Sequence, residues 1–338
     1  MIDVLVAGGG PAGLTTALYA SKAGLEVVVI EKRSGTIDKA CGEGLMPHSL
    51  AHLNRLGVDP PGKPLRGISY HAGHRSVSAA FRSGVGRGVQ RKALHGALLD
   101  AVAAAGVKVV QGDVGEVSQD ATSVQCGGFR ARYLAAADGL HSPIRTALGL
   151  AVPTNSRRRW GIRRHVQFAP WSENVEVHWS DDEEAYVTPV SDDCVGITIL
   201  TSRRGRFDSH LESFPTLVGR VEGQPHSRDL AAGPLRQKVR SRVAGRVLLV
   251  GDAAGYVDAL TGEGLAIAFG GAELLVGCVA ADRPADYDRQ WRRMSRQYRM
   301  LTAAALHASA YPAVRRRIVP AATRLPTVFT ALVNRLAE

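Results

Sequence analysis

The segment that most constrains this chain is a glycine-rich turn close to its N-terminus. Residues 2–7 form an apolar run of strand length, and a stretch of helical composition follows the turn. Between them Gly8, Gly10 and Gly13 have the spacing G-x-G-x-x-G, and residues 25–30 form a second apolar run. This order predicts a βαβ unit that binds a dinucleotide.

The residues of this turn have separate physical roles. Gly8 permits the tight turn, Gly10 has no Cβ to hold a pyrophosphate off the backbone, and Gly13 allows the helix to pack closely on the strand. Pro11 and Ala12 complete the turn, ahead of helix N–H groups that face the phosphates. A glycine turn with a purely structural role is the alternative.

The second apolar run is followed by Glu31, whose carboxylate can accept both ribose hydroxyls of an adenosine. Lys32 and Arg33 come next and can reach the same side of the cofactor. An acid at this place makes the glycine spacing more specific than it is alone.

Two later turns again combine glycine with an acid after an apolar run. Asp138 and Gly139 follow one such run, and Gly251 and Asp252 follow another. Ligands bind at strand ends in open α/β sheets, so a carboxylate at residue 252 suits a ribityl or ribose hydroxyl. Thr261 to Gly264 then open a long helix, with the threonine as its predicted N-cap. Helix capping and close packing are the alternative roles of these turns.

The composition is that of a globular protein. Of the 338 residues, 45% are hydrophobic and 22% are charged, and no apolar run approaches the roughly 18 residues of a membrane span. The four cysteines form no C-x-x-C pair, which predicts free thiols in a reducing cytoplasm, with neither disulfides nor a metal site such as zinc. The chain starts directly with a strand, so we expect no signal peptide and a cytoplasmic location.

The formal net charge of +11 is accompanied by three arginine clusters, at residues 157–159, 203–206 and 315–317. An anionic partner and a solvated, arginine-rich surface are the two interpretations. Aromatic residues are not interleaved with the clusters as they are in nucleic-acid modules, so we expect no nucleic-acid partner.

The middle of the chain has a different character. Between residues 160 and 201 four strand-like runs are separated by Asp, Pro and Ser turns, which predicts an antiparallel sheet. The glycine-rich turns on both sides of it must meet in space, so the cofactor domain is discontinuous. We expect an α/β fold with a Rossmann-like cofactor domain, an inserted antiparallel substrate domain and C-terminal helices. The cofactor domain covers residues 1–65, 88–150 and 235–282. The substrate domain covers residues 66–87 and 151–234, and the C-terminal helices cover residues 283–338.

Together and in this order, the three turns resemble the FAD-dependent superfamily of para-hydroxybenzoate hydroxylase-like monooxygenases, flavin-dependent halogenases and geranylgeranyl reductases. The resemblance covers roughly residues 1–282 and implies that the cofactor is FAD. It implies that Arg91 contacts FAD, that Asp138 supports FAD and, in the hydroxylases, the nicotinamide donor, and that Asp252 holds the ribityl side with Gly251. The start of the long helix is implied to lie against the isoalloxazine: Gly262, Gly264 and Leu265.

Two stretches resemble the geranylgeranyl reductase branch, Cys-Gly-Glu-Gly-Leu at residues 41–45 and Leu-Thr-Gly-Glu-Gly-Leu at 260–265. The Tyr-x-Trp-x-Phe-Pro segment of the reductases has a counterpart at residues 186–189 that keeps Tyr and Pro but lacks Trp and Phe. The halogenase Trp-x-Trp-x-Ile-Pro signature is absent. Cys41 is a candidate substrate-side thiol near the flavin, with a small buried hydrophobe as its alternative role.

We therefore expect an FAD-dependent oxidoreductase that NADPH or NADH reduces and that acts on a hydrophobic small molecule. The missing aromatic residues favour a monooxygenase that hydroxylates an aromatic or polyketide-like compound. Reduction of an isoprenoid double bond and a flavin-binding redox partner without turnover are the alternatives. Because the flavin carries the chemistry, Cys41 is the one catalytic candidate. His141 and His178 are treated as structural or surface residues.

The C-terminal residues 311–335 mix arginines with Val, Ile, Leu and Phe, and Pro312, Pro320 and Pro326 interrupt this stretch. One interpretation is weak contact with an acidic membrane surface, which suits a lipidic substrate. The other is a set of helices packed across the substrate domain.

Overall fold

The computed structural model describes residues 1–155 and 157–337. Ser156, in the expected substrate domain, and Glu338, at the end of the expected C-terminal region, lie outside the described residues.

The strands assigned within the described residues are short, and most belong to two large sheets. In chain order they are β1 Ile2–Ala7, β2 Val27–Glu31, β3 Gly44–Leu45, β4 Lys63–Leu65, β5 Gly67–Ala72, β6 Arg75–Ala80, β7 Gly86–Gly88, β8 Lys108–Gln111, β9 Ser118–Gln119, β10 Val124–Cys126, β11 Phe129–Ala136, β12 Ala151–Val152, β13 Trp160–Gln167, β14 Asn174–Trp179, β15 Glu184–Pro189, β16 Cys194–Thr201, β17 Leu230–Ala232, β18 Lys238–Val239, β19 Val243–Ala244 and β20 Val247–Leu249.

The helices are concentrated in the first third and the last quarter of the chain, with a 3₁₀ turn at Gly251–Ala254. In chain order they are α1 Pro11–Lys22, α2 Pro47–Arg55, α3 Arg91–Ala104, α4 Pro143–Ala147, α5 Phe207–Leu211, α6 Pro215–Val221, α7 Gly264–Ala280, α8 Asp286–Ser309, α9 Pro312–Arg315, α10 Ile318–Arg324 and α11 Pro326–Ala337.

The first sheet has the order β19-β20-β11-β1-β2-β8, with the β9–β10 hairpin attached to β11. The strands β20, β11, β1, β2 and β8 run parallel to one another. Helices α1, α3 and α7 pack with this sheet in one apolar core, which explains why β1 and β2 are nearly continuous hydrophobic runs. Parallel strands end at one edge, so the turns that follow β1, β11 and β20 meet there.

The second sheet has seven strands in the order β17-β13-β16-β15-β14-β5-β6. Its pairs are antiparallel except for β14 with β5. One face packs on α5 and α6 in a second core, which includes Phe207, Phe214 and Leu217. The predicted α/β class with an antiparallel second sheet is confirmed, whereas the exact domain boundaries stay a prediction.

The C-terminal helices α10 and α11 pack against the β5–β6 hairpin. Phe329, Val333 and Ala337 of α11 are buried in a third apolar cluster, together with Leu65 and Val175. The interpretation of this region as helices packed across the second sheet therefore agrees with the structure. No helix among the described residues is long and apolar enough to cross a membrane.

Two of the arginine clusters supply buried ion pairs rather than solvated charge alone. Arg315 is buried and its guanidinium lies 2.6 Å from Glu184. Arg159 contacts the same carboxylate, and its Nε lies 3.6 Å from Asp258. Arg316, in contrast, is exposed and pairs with the exposed Asp181.

Candidate functional site

A large cavity lies between the edge of the parallel sheet and one face of the seven-stranded sheet. Its wall contains every residue that the sequence predicted for cofactor or substrate contact except Gly13. These residues are Gly8, Gly10, Pro11, Ala12, Glu31, Lys32, Arg33, Cys41, Arg91, Asp138, Gly251, Asp252, Gly262, Gly264 and Leu265.

The first turn has the geometry of a phosphate-binding loop. Gly8 has a φ of +106°, and a Cβ on it would lie 2.5 Å from the carbonyl oxygen of Ala137. A Cβ on Gly13 would lie 1.9 Å from the carbonyl oxygen of Gly8, so this glycine sits behind the cavity wall and allows the close packing. In contrast, a Cβ on Gly10 would meet nothing within 4 Å. The space in front of Gly10, at the N-terminus of α1, is therefore open to an anionic ligand.

Glu31 closes one end of this turn. Its Oε2 accepts a hydrogen bond from the backbone N–H of Gly9 at 2.7 Å, and its Oε1 accepts from Nε of Arg33 at 2.9 Å. Burial alone would raise the pKa of Glu31, but the hydrogen bonds from Arg33 and Gly9 leave it below its ordinary value. The carboxylate is thus an ionised acceptor at the edge of the cavity.

Asp138 combines a structural and a free acceptor. Its Oδ2 accepts from the backbone N–H of Ile144 at 3.1 Å, at the start of α4, while Ser142 is the N-cap and accepts from Arg145 N–H. Its Oδ1 is buried and has no hydrogen-bond partner among the described residues. Burial raises the pKa of Asp138. The capping role therefore uses one oxygen and leaves the other without a partner among the described residues, in a residue that lines the cavity.

Arg145 joins the second and third turns. Its guanidinium donates to the carbonyl oxygens of Leu140 at 2.9 Å and Ala253 at 3.2 Å, and to the side chain of Gln237 at 2.9 Å. Beside it, the half-exposed carboxylate of Asp252 pairs with Lys39 at 3.1 Å. The two turns are consequently held as one rigid edge.

Arg91 is the first residue of α3 and its side chain is buried. Its backbone N–H donates to Oε1 of Glu43 at 2.9 Å, whereas its Nη1 has no partner among the described residues. Burial lowers the pKa of Arg91, but arginine starts so high that the group stays cationic. An unpaired buried cation in a cavity wall is suited to an anionic ligand.

The predicted N-cap at Thr261 is wrong. Helix α7 begins at Gly264 with Glu263 as N-cap, and the hydroxyl of Thr261 instead pairs with the hydroxyl of Thr302 at 2.7 Å. Gly262 has a φ of +74°, outside the helical range, so the helix cannot start directly after Thr261. Gly262 and Gly264 still line the cavity ahead of the helix.

The wall opposite the glycine turns is largely apolar. It is formed by residues of the seven-stranded sheet, the segment after β17 and helix α11: Ile68, Val175, Val177, Leu200, Leu235, Val333 and Leu336. Four titratable side chains stand in the same wall, and burial raises the pKa of each of them: Cys41, Tyr70, Tyr186 and Tyr256. The pKa of Tyr70 is about 12, so these groups are protonated at neutral pH.

A polar pair, of which Glu43 stands in the cavity wall, was not predicted from the sequence. Glu43 is buried, has a φ of +60°, and its Oε2 lies 2.8 Å from Nε2 of His165. A Cβ on Gly196 would lie 2.5 Å from the same oxygen, which explains the glycine there. Glu43 belongs to residues 41–45, the stretch that resembles the geranylgeranyl reductase branch. No local pattern marks His165, which lies 122 residues away on β13.

These features fit FAD. The open space at Gly10 lies where a pyrophosphate can meet the N-terminus of α1, and Arg91 offers an unpaired positive charge. Glu31, Asp138 and Asp252 provide acceptors for hydroxyl groups along the same wall. Together they would hold a dinucleotide extended along the edge of the parallel sheet.

Comparisons with known proteins agree. The family model described as "FAD binding domain" matches residues 1–81 and 89–281. The menaquinone reductase of Mycobacterium tuberculosis is 27% identical over 315 residues, covering 78% of this chain and 72% of the relative. Digeranylgeranylglycerophospholipid reductase 1 of Methanothermobacter thermautotrophicus is 28% identical over 335 residues, covering 88% and 82%. The 2-heptyl-3-hydroxy-4(1H)-quinolone synthase of Pseudomonas aeruginosa is 28% identical over 318 residues, covering 81% and 80%.

Among solved structures, CmlS, a flavin-dependent halogenase, superposes with a TM-score of 0.82 at 19% identity, covering 99% of this chain and 72% of that protein. This likeness concerns the fold. The family match spans most of the chain and includes all three glycine–acid turns of the cavity. The chain therefore belongs to the FAD binding domain family, within the FAD-dependent oxidoreductase superfamily of para-hydroxybenzoate hydroxylase-like monooxygenases and geranylgeranyl reductases.

Proposed function

We propose that this protein reduces carbon–carbon double bonds of an isoprenoid chain, with NADPH or NADH as electron donor. The observation that carries the proposal is the wall opposite the cofactor site, which combines an extended apolar surface with protonated donors. Val333 and Leu336 of α11 extend this wall beyond the sheet, as a long chain requires. The relatives named menaquinone reductase and digeranylgeranylglycerophospholipid reductase support a reductase.

The reaction needs a hydride at one carbon of the double bond and a proton at the other. Reduced FAD supplies the hydride when it is bound. Of the four protonated side chains in the wall, the thiol of Cys41 is assigned as the proton donor, because a thiol is a stronger acid than a tyrosine hydroxyl. After donation, the thiolate regains a proton from solvent, and the apolar wall holds the chain in place.

Product analysis tests this function. The FAD-loaded protein is mixed without oxygen with NADPH or NADH and a geranylgeranyl-bearing lipid, and products are analysed by mass spectrometry. We expect masses higher by two hydrogens per reduced bond, and a rate at least about tenfold lower in Cys41→Ser, with FAD binding retained. A product that requires oxygen and gains one oxygen atom would contradict the proposal, as would no product at all.

Hydroxylation of a hydrophobic aromatic compound is the second candidate. The segment at residues 186–189 lacks the Trp and Phe of the reductases. The hydroxyl of its Tyr186 donates a hydrogen bond to the carbonyl oxygen of Leu260 at 2.7 Å. The quinolone synthase among the relatives is about as similar to this chain as the reductases are. Incorporation of oxygen-18 from O₂ into the product of a quinolone-like substrate would establish this activity.

The outer surface of the C-terminal helices supports contact with an anionic membrane, where a lipidic substrate resides. Tyr311, Val314, Leu325, Val328 and Leu332 are each 45–56% exposed. The exposed cations Arg317, Arg324 and Arg335 lie in the same segment. Val333 and Leu336 of α11 line the cavity, so this helix has the cavity on one side and exposed apolar residues on another. Apolar groups interspersed with arginines match an acidic lipid surface.

A further inference from the structure

Two neighbouring strands of the seven-stranded sheet bring two histidines and a glutamate together. His178 of β14 lies directly opposite His71 of β5, and Glu176 precedes His178 by two residues. Side chains alternate along a strand, so Glu176 and His178 share one face. Val175 and Val177 line the FAD cavity from the other face. The three side chains therefore stand outside the site described above.

The three side chains converge on a small volume. Nε2 of His178 lies 2.9 Å from Oε2 of Glu176, and Nε2 of His71 lies 3.9 Å from Oε1 of Glu176. The two imidazole rings are stacked with centroids 4.6 Å apart and planes 12° from parallel. One ligand atom from each residue lies within 4.8 Å of the others.

The donor atoms suit a metal ligand set. Nε2 of His71 is buried and has no hydrogen-bond partner among the described residues. The Trp171 N–H···Oε2 bond, at 3.1 Å, fixes the carboxylate of Glu176.

We propose that His71, Glu176 and His178 bind a divalent transition-metal ion of the zinc type. The site is on the face of the seven-stranded sheet that points away from the FAD cavity. Two imidazoles and one carboxylate are typical ligands of zinc, whereas magnesium and calcium prefer oxygen ligands. Zinc–nitrogen bonds of about 2.0–2.1 Å place tetrahedral ligand atoms roughly 3.3 Å apart. Nε2 of His71 lies 3.9 Å from Glu176, farther than this spacing, so His71, near the end of its strand, has to move toward the carboxylate. The metal replaces the His178–Glu176 hydrogen bond.

Equilibrium dialysis of the FAD-loaded protein against Zn²⁺ tests the site, with bound zinc quantified by elemental analysis. We expect one zinc ion per chain, and an affinity at least about tenfold lower in His71→Asn and in Glu176→Gln. His74→Asn, which removes an exposed histidine from the adjacent hairpin turn, is the matched control and should bind as the parent does. Cys41→Ser should also bind one ion, which separates this site from a cysteine-bound metal.

Retention of FAD and circular dichroism show that each variant is folded. Two ligand variants are used, so that misfolding of one of them does not decide the result. Failure of the parent protein to bind zinc would overturn the proposal. Binding that is unchanged in both His71→Asn and Glu176→Gln, or that is lost in Cys41→Ser, would place the ion elsewhere and overturn it too.

Discussion

Gly10 differs from Gly8 and Gly13 because the absence of its Cβ leaves room for the ligand and is not needed for packing within the protein. The Gly10→Ala side chain would meet no protein atom within 4 Å, and its φ of −74° is ordinary for alanine. We expect unfolding of the FAD-free protein to be unchanged. FAD affinity should fall at least about tenfold, or about 1.4 kcal/mol, because the methyl group stands in the pyrophosphate space. Titration of the FAD-free protein with FAD measures the change.

Gly13→Ala is the contrasting variant. Its Cβ would lie 1.9 Å from the carbonyl oxygen of Gly8, so the turn itself must shift. We expect this variant to lose stability without FAD, by on the order of 2 kcal/mol or more in chemical denaturation. Equal stability of the two FAD-free variants would contradict the assigned roles of the two glycines.

The Cys41 thiol provides a pH-dependent test. Burial raises its pKa, so we expect alkylation by iodoacetamide to stay slow until the pH exceeds the ordinary thiol value of about 8.5. The unfolded chain releases this proton first as pH rises, so the same shift makes the folded state less stable in alkaline solution. Peptide mass spectrometry measures alkylation at residue 41, with the denatured protein as reference. Fast alkylation of the folded protein at pH 7 would disprove the shift.

Helix α11 has one side at the cavity and another at the surface. Its residues Phe329 and Val333 are buried, whereas Leu325, just before it, and Val328 and Leu332 are exposed at helical spacing. The exposed residues can be changed without disturbing the packed side of the helix.

The double variant Val328→Ser, Leu332→Ser tests membrane contact. If these side chains enter a bilayer surface, binding to phosphatidylglycerol vesicles should fall on the order of tenfold or more. Co-sedimentation at low and high salt measures binding, and neutral phosphatidylcholine vesicles should bind less. Val109→Ser removes another exposed valine, on β8 of the first sheet, and serves as the control. A parent protein that stays in the supernatant with acidic vesicles would refute the contact.

FAD is expected to contact segments that lie far apart in the sequence. The cavity wall includes Glu31, Asp138 and Asp252, which lie at or just after the ends of three different parallel strands. Binding to the folded state alone should stabilise it by about 2.7 kcal/mol at a free FAD concentration one hundred times Kd. Denaturant unfolding with and without FAD measures this difference. No stabilisation at saturating FAD would mean that the cofactor does not bind the folded site.

The N-terminal unit could be predicted closely because its signals are local. Strand β1 occupies residues 2–7, as its apolar run predicts, and α1 follows the glycine turn. The meeting of the three turns was also predictable, since each follows a strand of one parallel sheet. Helix α7 begins later than expected because Gly262 has a φ of +74°, outside the helical range, and Glu263 becomes the N-cap.

A dinucleotide site could be predicted from the sequence, because phosphate binding depends on backbone shape within a few consecutive residues. The contacts between distant elements around that site depend on the tertiary structure. His165 reaches Glu43 across 122 residues, and His48 contacts the carbonyl oxygen of Ala337 across 289. The pairing of His71 with His178 depends on strand register. Such contacts arise from packing between distant elements, and no local pattern of residues encodes them.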